Sequence, residues 1–296
     1  MSKIFTIGDS VMDILFKDDK PMEALCGGSS LNASITLGRL GAPVSLVSQC
    51  SSDVVGEMIC KFLTSNKVSD KYVTRVADLP SNLALAFLDN NNDARYSFYK
   101  NHKGDSVNYP TDVNRGDIIL LGSSFAIRRE IRKPLVEFLN NAREKGALII
   151  YDPNIRCPDA SLSSDVMSMI CENMSLSHLV KGSNEDFQTI SQKNCSLEVF
   201  QWMQSFTDAA LIYTANKHGV DVHSNSFQNH YTVPSITPLS TIGAGDTFNA
   251  AMAYYLWNNS IDYTQIHTLN SSQWQSLVSL AVKYAQKVCE SYDNYY

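Results

Sequence analysis

This sequence predicts an α/β fold: a mainly parallel sheet covered by helices on both faces, with a small β-sheet appended to it. Three observations carry that expectation. Short, continuous apolar runs of strand length alternate with helix-periodic stretches, as strands buried on both faces do. Glycine, asparagine and aspartate directly follow several of those runs, where open α/β sheets place ligand-binding turns. One stretch, residues 82–99, breaks the alternation and reads as two strands with no helix between them.

The elements follow in chain order. Ile4–Ile7 is a short apolar run ending in Gly8-Asp9, a buried first strand. Residues 32–40 form a helix, with Leu31, Ile35 and Leu37 supplying its apolar positions and Gly41 its stop. A strand at 44–47 and a helix at 55–63 come next. The alternation then becomes regular: strand 117–121, helix 130–145, strand 148–151, helix 164–173, strand 179–181, further helices, and strand 209–213. Crossovers between such parallel strands are expected to be right-handed. With no internal repeat and no low-complexity linker, residues 1–296 read as one domain, with a β-lid contributed by residues 9–25 and 82–105.

The lid expectation rests on Leu83-Ala84-Leu85-Ala86-Phe87-Leu88 and Tyr96-Ser97-Phe98-Tyr99, joined through Asn90-Asn91-Asn92-Asp93. Both faces of this hairpin are largely apolar, and a small sheet of that kind does not stand alone in water. One face is suited to closing over a ligand cleft and the other to packing on a second subunit; a hairpin folded onto its own domain fits the same residues.

Bulk properties narrow the function classes. Apolar residues make up 44% and charged ones 18% of 296, a globular composition. A net charge of −6 argues against nucleic acid or an anionic membrane surface as the main partner, so an anionic substrate would need a local positive site. The seven cysteines are odd in number and show no metal-ligand spacing, which suits reduced thiols. Met1-Ser2-Lys3-Ile4-Phe5-Thr6-Ile7-Gly8-Asp9 turns polar too early for a signal peptide, and no apolar run reaches membrane-spanning length. The expectation is a soluble, cytoplasmic protein.

Four segments carry candidate chemistry. Thr241-Ile242-Gly243-Ala244-Gly245-Asp246-Thr247-Phe248 sets small residues and a carboxylate before a helix-periodic run. Small residues let backbone N–H groups crowd an anion at a helix N-terminus. A carboxylate sits against that preference unless it takes a proton beside a transferring phosphoryl group, although Asp246 as an ordinary N-cap fits the same residues. Cys26-Gly27-Gly28-Ser29-Ser30-Leu31-Asn32 permits close backbone approach of a polar ligand, with Asn32 offering both donor and acceptor. Its spacing is neither a dinucleotide fingerprint nor a Walker A loop, and a plain junction before a helix is the alternative. Asp152-Pro153-Asn154-Ile155-Arg156 follows a strand and suits a hydroxyl- and phosphate-rich ligand, or is a Pro-led turn with an Asx hydrogen bond. In Lys181-Gly182-Ser183-Asn184-Glu185-Asp186 the carboxylates either complement a helix dipole or arrange hydrated Mg²⁺ near phosphate oxygens.

Taken together, these segments make the chain resemble the PfkB (ribokinase-like) family of carbohydrate kinases over nearly its whole length. Gly27-Gly28-Ser29-Ser30-Leu31-Asn32 through Leu37-Gly38-Arg39-Leu40-Gly41 is similar to the family's N-terminal signature, and Ser240 through Asn249 to its C-terminal one. The resemblance implies a ribokinase-like three-layer α/β/α fold with a β-lid, and an ATP- and Mg²⁺-dependent sugar kinase. By it, Asp246 is the general base, and the N–H groups of Gly243, Ala244 and Gly245 form the anion hole. Asp13, Gly28 and Asn32 hold sugar hydroxyls. Asp186 stands where the family's magnesium-organising glutamate usually is and reaches the metal through water. Ser183, Thr214, Gly219 and Thr241 line the nucleotide.

Three departures are visible. Ser240 replaces a common acidic residue, which bears on any K⁺ site beside the anion hole; Asn216 replaces a usual glycine; Asp186 is one methylene short. Residues 83–89 with Tyr96-Ser97-Phe98-Tyr99-Lys100 look most like the fructokinase branch, which implies Lys100 and Arg156 near substrate oxygens. The expected reaction is phosphorylation of fructose at O6. Other readings are kinases of 2-keto-3-deoxygluconate or ribose, a catalytically silent sugar-binding regulator on the same scaffold, and a dehydrogenase, which lacks its fingerprint. A homodimer through the β-lid is the expected assembly.

Overall fold

The computed structural model describes residues 2–89, 94–100, 106–155 and 162–296. Arg156 and the asparagine-rich hairpin turn therefore lie outside the described residues.

The chain opens with β1 (Ile4–Ile7), β2 (Val11–Lys17) and β3 (Lys20–Gly27), then α1 (Ser29–Arg39), β4 (Val44–Ser51), α2 (Val54–Ser65) and β5 (Val68–Val76). The lid strands β6 (Leu83–Leu88) and β7 (Ala94–Tyr99) follow, then β8 (Ile118–Gly122), a 3₁₀ turn Ser124–Ile127, α3 (Arg132–Glu144), β9 (Leu148–Asp152), α4 (Ser164–Leu176), β10 (Leu179–Ser183) and α5 (Asn184–Ser191). The remainder comprises α6 (Ser196–Met203), β11 (Ala210–Thr214), β12 (Val220–Ser224), β13 (Phe227–Tyr231), α7 (Ala244–Asn258) and α8 (Ser271–Cys289).

Nine strands form the central sheet in the order β13-β12-β11-β10-β9-β8-β1-β4-β5. The seven from β11 to β5 run parallel, while β12 and β13 add an antiparallel edge. The parallel strands β1, β8 and β9 are buried at every residue, because each side chain meets a helical layer on one face or the other. Ile4, Leu46, Ile118 and Ile150 join one apolar cluster with α1, α2, α7 and α8; Phe5, Ile119, Ile149 and Val180 join a second with α3 to α6. Each such side chain contributes about 1.5–3 kcal/mol on leaving water, which is what holds the three layers together.

The second sheet, β3-β2-β6-β7, is built from the segments expected to form the lid. Pairing of β6 with β7 is antiparallel, as the hairpin reading expected, and β2 runs parallel to β6. Register sets Asp13 beside Leu25 and Ala84, and Ala84 beside Phe98, on one face. Phe16 and Phe87 stack at 5.0 Å on the other.

Strand order reverses direction between β8 and β1. Ligands in open α/β sheets bind at such a switch point, outside the carboxyl ends of the strands. The turns after β1, β8, β9 and β10 are therefore where chemistry is expected. Among the described residues no helix is long and apolar enough to cross a membrane.

Candidate active site

Helix α7 carries the carboxylate of Asp246 in its first turn, buried despite its charge. Gly243 caps the helix with φ 77°, a left-handed angle that favours glycine. A Cβ there would also overlap the carbonyl of Asn294, so the turn is tight as well as left-handed. Asn32 of α1 donates from Nδ2 to Asp246 Oδ2 at 2.8 Å, across 214 positions of sequence. The neighbouring Gly28 caps α1 and accepts the Asn32 backbone N–H at 2.8 Å, which fixes the asparagine's position.

Asp13 is buried on β2, and the missing side chain of Gly27 leaves the room its carboxylate fills. The Asp13 Oδ2 accepts from Asn294 Nδ2 at 2.8 Å. Asp13, Asn294 and Gly243 on one side, and Asp246, Asn32 and Gly28 on the other, thus form a partial ring of contacts between the small sheet, α1 and α7. Within it, Asn32 Oδ1 and Asn294 Oδ1 are buried acceptors with no partner among the described residues. A polyhydroxylated ligand is the chemistry that satisfies such atoms.

Lys181 supplies the positive charge. Its side chain lies within β10, sealed from solvent, and donates to Asp152 Oδ2 at 3.1 Å. Burial opposes its charge, but Asp152, Asp186 and Asp246 outweigh burial and raise its pKa, so it is an ammonium. Lys181 Nζ comes within 3.5 Å of where a Gly245 Cβ would stand. A lysine and the opening turn of a helix therefore meet at one point, an arrangement suited to an anion. In the sequence Lys181 is a lone polar residue in an apolar run, which carries no signal of that position. Asn249, equally without a sequence signal, donates to Asp152 Oδ2 at 2.6 Å from one turn further along α7.

Of the three amides expected to form the anion hole, that of Ala244 donates to the Thr241 carbonyl at 3.3 Å, a long bond. Gly245 stands in the first turn, where N–H groups lack a carbonyl of their own helix. Asp186 makes a capping box with Ser183: its Oδ2 accepts from the Ser183 N–H at 2.8 Å and hydroxyl at 2.6 Å. Its Oδ1 accepts from the Ile155 N–H at 2.7 Å, tying the turn after β9 to α5. Burial, and then the charge of Asp152, push the Asp186 carboxyl up. A nearby divalent cation relieves that repulsion, so the residue fits an outer-sphere partner of Mg²⁺. Among the described residues no cluster of three His, Cys, Asp or Glu side chains forms a protein cage for a metal.

Thr214 ends β11 beside Ser183, and its hydroxyl donates to the Gly182 carbonyl at 3.3 Å. Gly219, with φ 104°, closes the turn behind it, and Asn216 takes φ 48°, so asparagine does adopt the left-handed angle of the usual glycine. Thr241 is exposed at the entrance of the loop before α7. Ser240 is buried, and its hydroxyl accepts the Ile242 N–H at 3.2 Å, so it offers a neutral oxygen where the resemblance places a common acidic residue. Lys100 lies apart from the ring: it donates to Asp9 Oδ2 at 3.0 Å and Ser124 Oγ at 2.6 Å, bridging the lid to the switch point between β1 and β8. Arg156 falls outside the described residues.

Comparison with known proteins identifies the family and the fold. Residues 1–295 match the pfkB family of carbohydrate kinases. Probable fructokinase-4 of Arabidopsis thaliana is 26% identical over 76% of this chain and 71% of its own length. Aminoimidazole riboside kinase of Salmonella typhimurium is 19% identical over 92% and 88%. Among solved structures, a double mutant of the Vibrio cholerae O395 fructokinase, bound to fructose, ADP and potassium ion, superposes with a TM-score of 0.86 at 19% identity over 99% of this chain and 94% of that one. The Salmonella enterica aminoimidazole riboside kinase, complexed with aminoimidazole riboside and an ATP analogue, gives 0.82 at 18% identity over 99% and 95%. With the family match running over residues 1–295 and curated sugar kinases among its relatives, the chain is a sugar kinase and belongs to the pfkB family of carbohydrate kinases.

Proposed function

We propose that this kinase transfers the γ-phosphoryl group of ATP to the primary hydroxyl of a ketohexose, giving fructose 6-phosphate from fructose. The observation that carries the reading is the buried Asp246 carboxylate, held by Asn32 at 2.8 Å in the first turn of α7 and next to the Lys181 ammonium. Asp246 takes the proton of the sugar hydroxyl as its oxygen bonds to phosphorus and ADP departs. The α7 N-terminus and Lys181 face the charge that gathers on the moving phosphoryl group, which is where fixed dipoles and charges lower a barrier most. Asp13, Gly28 and Asn32 hold the sugar, and Ser183, Thr214, Gly219 and Thr241 border the nucleotide. Asp186, with Asp152 nearby, would hold Mg²⁺ through water; that ion supplies charge neutralisation of the phosphate oxygens.

Fructokinases among the relatives support the choice of sugar, and an aminoimidazole riboside kinase among them names the second substrate to try. On the face of the small sheet opposite Asp13, the exposed aromatic residues Phe87 at 37% and Tyr99 at 62% support a homodimer through it. Light scattering of the wild type and of Phe87→Glu reads that assembly: a dimer that the variant dissociates is expected, and a monomeric wild type overturns it. The function itself is tested by ADP release with ATP and Mg²⁺ over fructose, other hexoses, ribose, 2-keto-3-deoxygluconate and aminoimidazole riboside. Fructose is expected to give the highest kcat/KM, with and without K⁺; silence with every acceptor favours a sugar-binding regulator instead.

A further inference from the structure

The segment after α8 returns to the site, and nothing in the proposed reaction uses it. Tyr295 packs on Phe62 at 5.3 Å, and the Tyr296 N–H donates to Thr36 Oγ1 at 3.2 Å, so this stretch is fastened to α2 and α1. Between those anchors and α8, Asn294 is completely buried. Its carbonyl lies against Gly243, the cap of the helix that bears Asp246, and its Nδ2 donates to Asp13 Oδ2 at 2.8 Å. One asparagine therefore touches both the lid carboxylate and the loop behind the base. Its Oδ1 is buried without a partner among the described residues. The Asp13 carboxylate accounts for its Nδ2, but a buried Oδ1 left unpaired is costly and a purely structural role does not account for it.

We infer that Asn294 is a sugar-positioning and specificity-determining residue: its amide N–H₂ fixes the Asp13 carboxylate, and its Oδ1 accepts a hydrogen bond from a hydroxyl of the sugar. The inference rests on the sugar-kinase reading above, with Asp13 at the acceptor. Sites built to hydrogen-bond a hydroxyl reject analogues that lack it, so Asn294 sets a preference among sugars and not only an affinity.

The experiment is steady-state kinetics of wild type, Asn294→Ala and Asn294→Asp over fructose and its epimers and deoxy analogues, with ATP varied separately. In Asn294→Ala the KM for fructose is expected to rise about tenfold, with the KM for ATP within about twofold and discrimination among the analogues flattened. Asn294→Asp keeps the shape but sets a carboxylate against Asp13. Two carboxylates so close share a proton, so the fructose KM of this variant is expected to fall towards the wild-type value as pH is lowered from about 8 to about 6. A merely structural role would change both KM values together or neither, and would give Asn294→Asp no such profile. Unchanged fructose KM and preference in Asn294→Ala, or equal changes for fructose and ATP, overturn the inference. If Asn294→Ala does not fold, the Asn294→Asp profile decides, and a flat one overturns it. Wild-type silence with every sugar overturns the functional reading and this inference with it, whereas an active wild type with indifferent variants overturns this inference alone.

Discussion

Lys181 Nζ donates to Asp152 Oδ2 at 3.1 Å with both side chains sealed from solvent, and that same oxygen accepts from Asn249 Nδ2 at 2.6 Å. The pair holds a cation at the mouth of α7 while Asp186 and Asp246 act on it from other sides. Breaking a buried pair leaves uncompensated charge, which costs about 3–5 kcal/mol. Lys181→Met is therefore expected to lower thermal stability by that order and kcat by about 100-fold or more. Adding Asp152→Asn removes the stranded charge, so the double variant should regain stability but not turnover. Melting curves and kcat on the two proteins separate the roles; recovery of both would make the lysine structural only.

Asp246→Asn keeps the side chain's shape, its room beside Asn32 and its place in the first turn of α7. It removes the ability to take a proton. A general base contributes about 100- to 10,000-fold, so kcat should fall within that range while ATP affinity and melting temperature stay near wild type. Calorimetric titration with ATP beside the kinetic assay reads both, and near-normal kcat would remove Asp246 from the chemistry.

Most of the sheet was legible because buried parallel strands are largely apolar runs: the strands expected at 4–7, 117–121, 148–151 and 209–213 stand, within a residue, at Ile4–Ile7, Ile118–Gly122, Leu148–Asp152 and Ala210–Thr214. β5 was not, since Val68–Val76 mixes Asp70, Lys71 and Arg75 with its apolar residues at the sheet edge, where one side faces water. The β12–β13 edge hides for the same reason, with Gln228, Asn229 and His230 exposed on β13. In the site, Asp246 and Asn32 were legible because glycines beside them announce a turn at a helix start. Lys181, Asn249 and Asn294 were not: their partners lie 29, 97 and 281 positions away, and only the folded chain brings them together.

Lys100 ties the lid to the main sheet through Asp9 and Ser124, and its ammonium also sits 5.3 Å from the Phe98 ring. The link is a clasp across the acceptor side of the molecule and belongs to neither the base nor the anion site. Lys100→Ala is accordingly expected to raise the KM for sugar about three- to tenfold with a smaller change in kcat, and Asp9→Ala to behave alike. The double variant should be no worse than either single one, because both remove the same contact. Additive losses in kinetic assays would show instead that each residue meets the substrate on its own.

Gly243 and Gly41 both hold left-handed backbone angles, φ 77° and 85°, yet only Gly243 is hemmed in. A Cβ at Gly41 meets nothing within 4 Å, whereas one at Gly243 would overlap the Asn294 carbonyl. Alanine at Gly41 should cost only the backbone term of about 1–2 kcal/mol and leave kcat unchanged. Gly243→Ala must shift the loop or the Asn294 segment as well, so it should lose more stability and most of its turnover. Paired melting and rate measurements test this, and equal behaviour of the two variants would deny that the Gly243 turn is braced by Asn294.

His178 precedes β10 and is buried, with its Nδ1 accepting the Ile149 N–H at 3.0 Å, a bond that requires the neutral ring. Burial, then the charges of Arg143 and His267, lower its pKa from 6.5 to about 4. The folded state thus binds its proton less readily than the unfolded chain does. Stability from this group is fully present above pH about 6.5 and is lost as pH falls from there through about 4, up to about 3 kcal/mol in all. Carboxylates titrate over part of the same range, so the difference between wild type and His178→Asn isolates the effect. The variant cannot take up the proton, and its stability relative to wild type should improve steadily as pH is lowered from about 7 to about 4.5. Chemical denaturation at several pH values measures that difference, and a constant gap would mean that His178 protonates without disturbing the strand it supports.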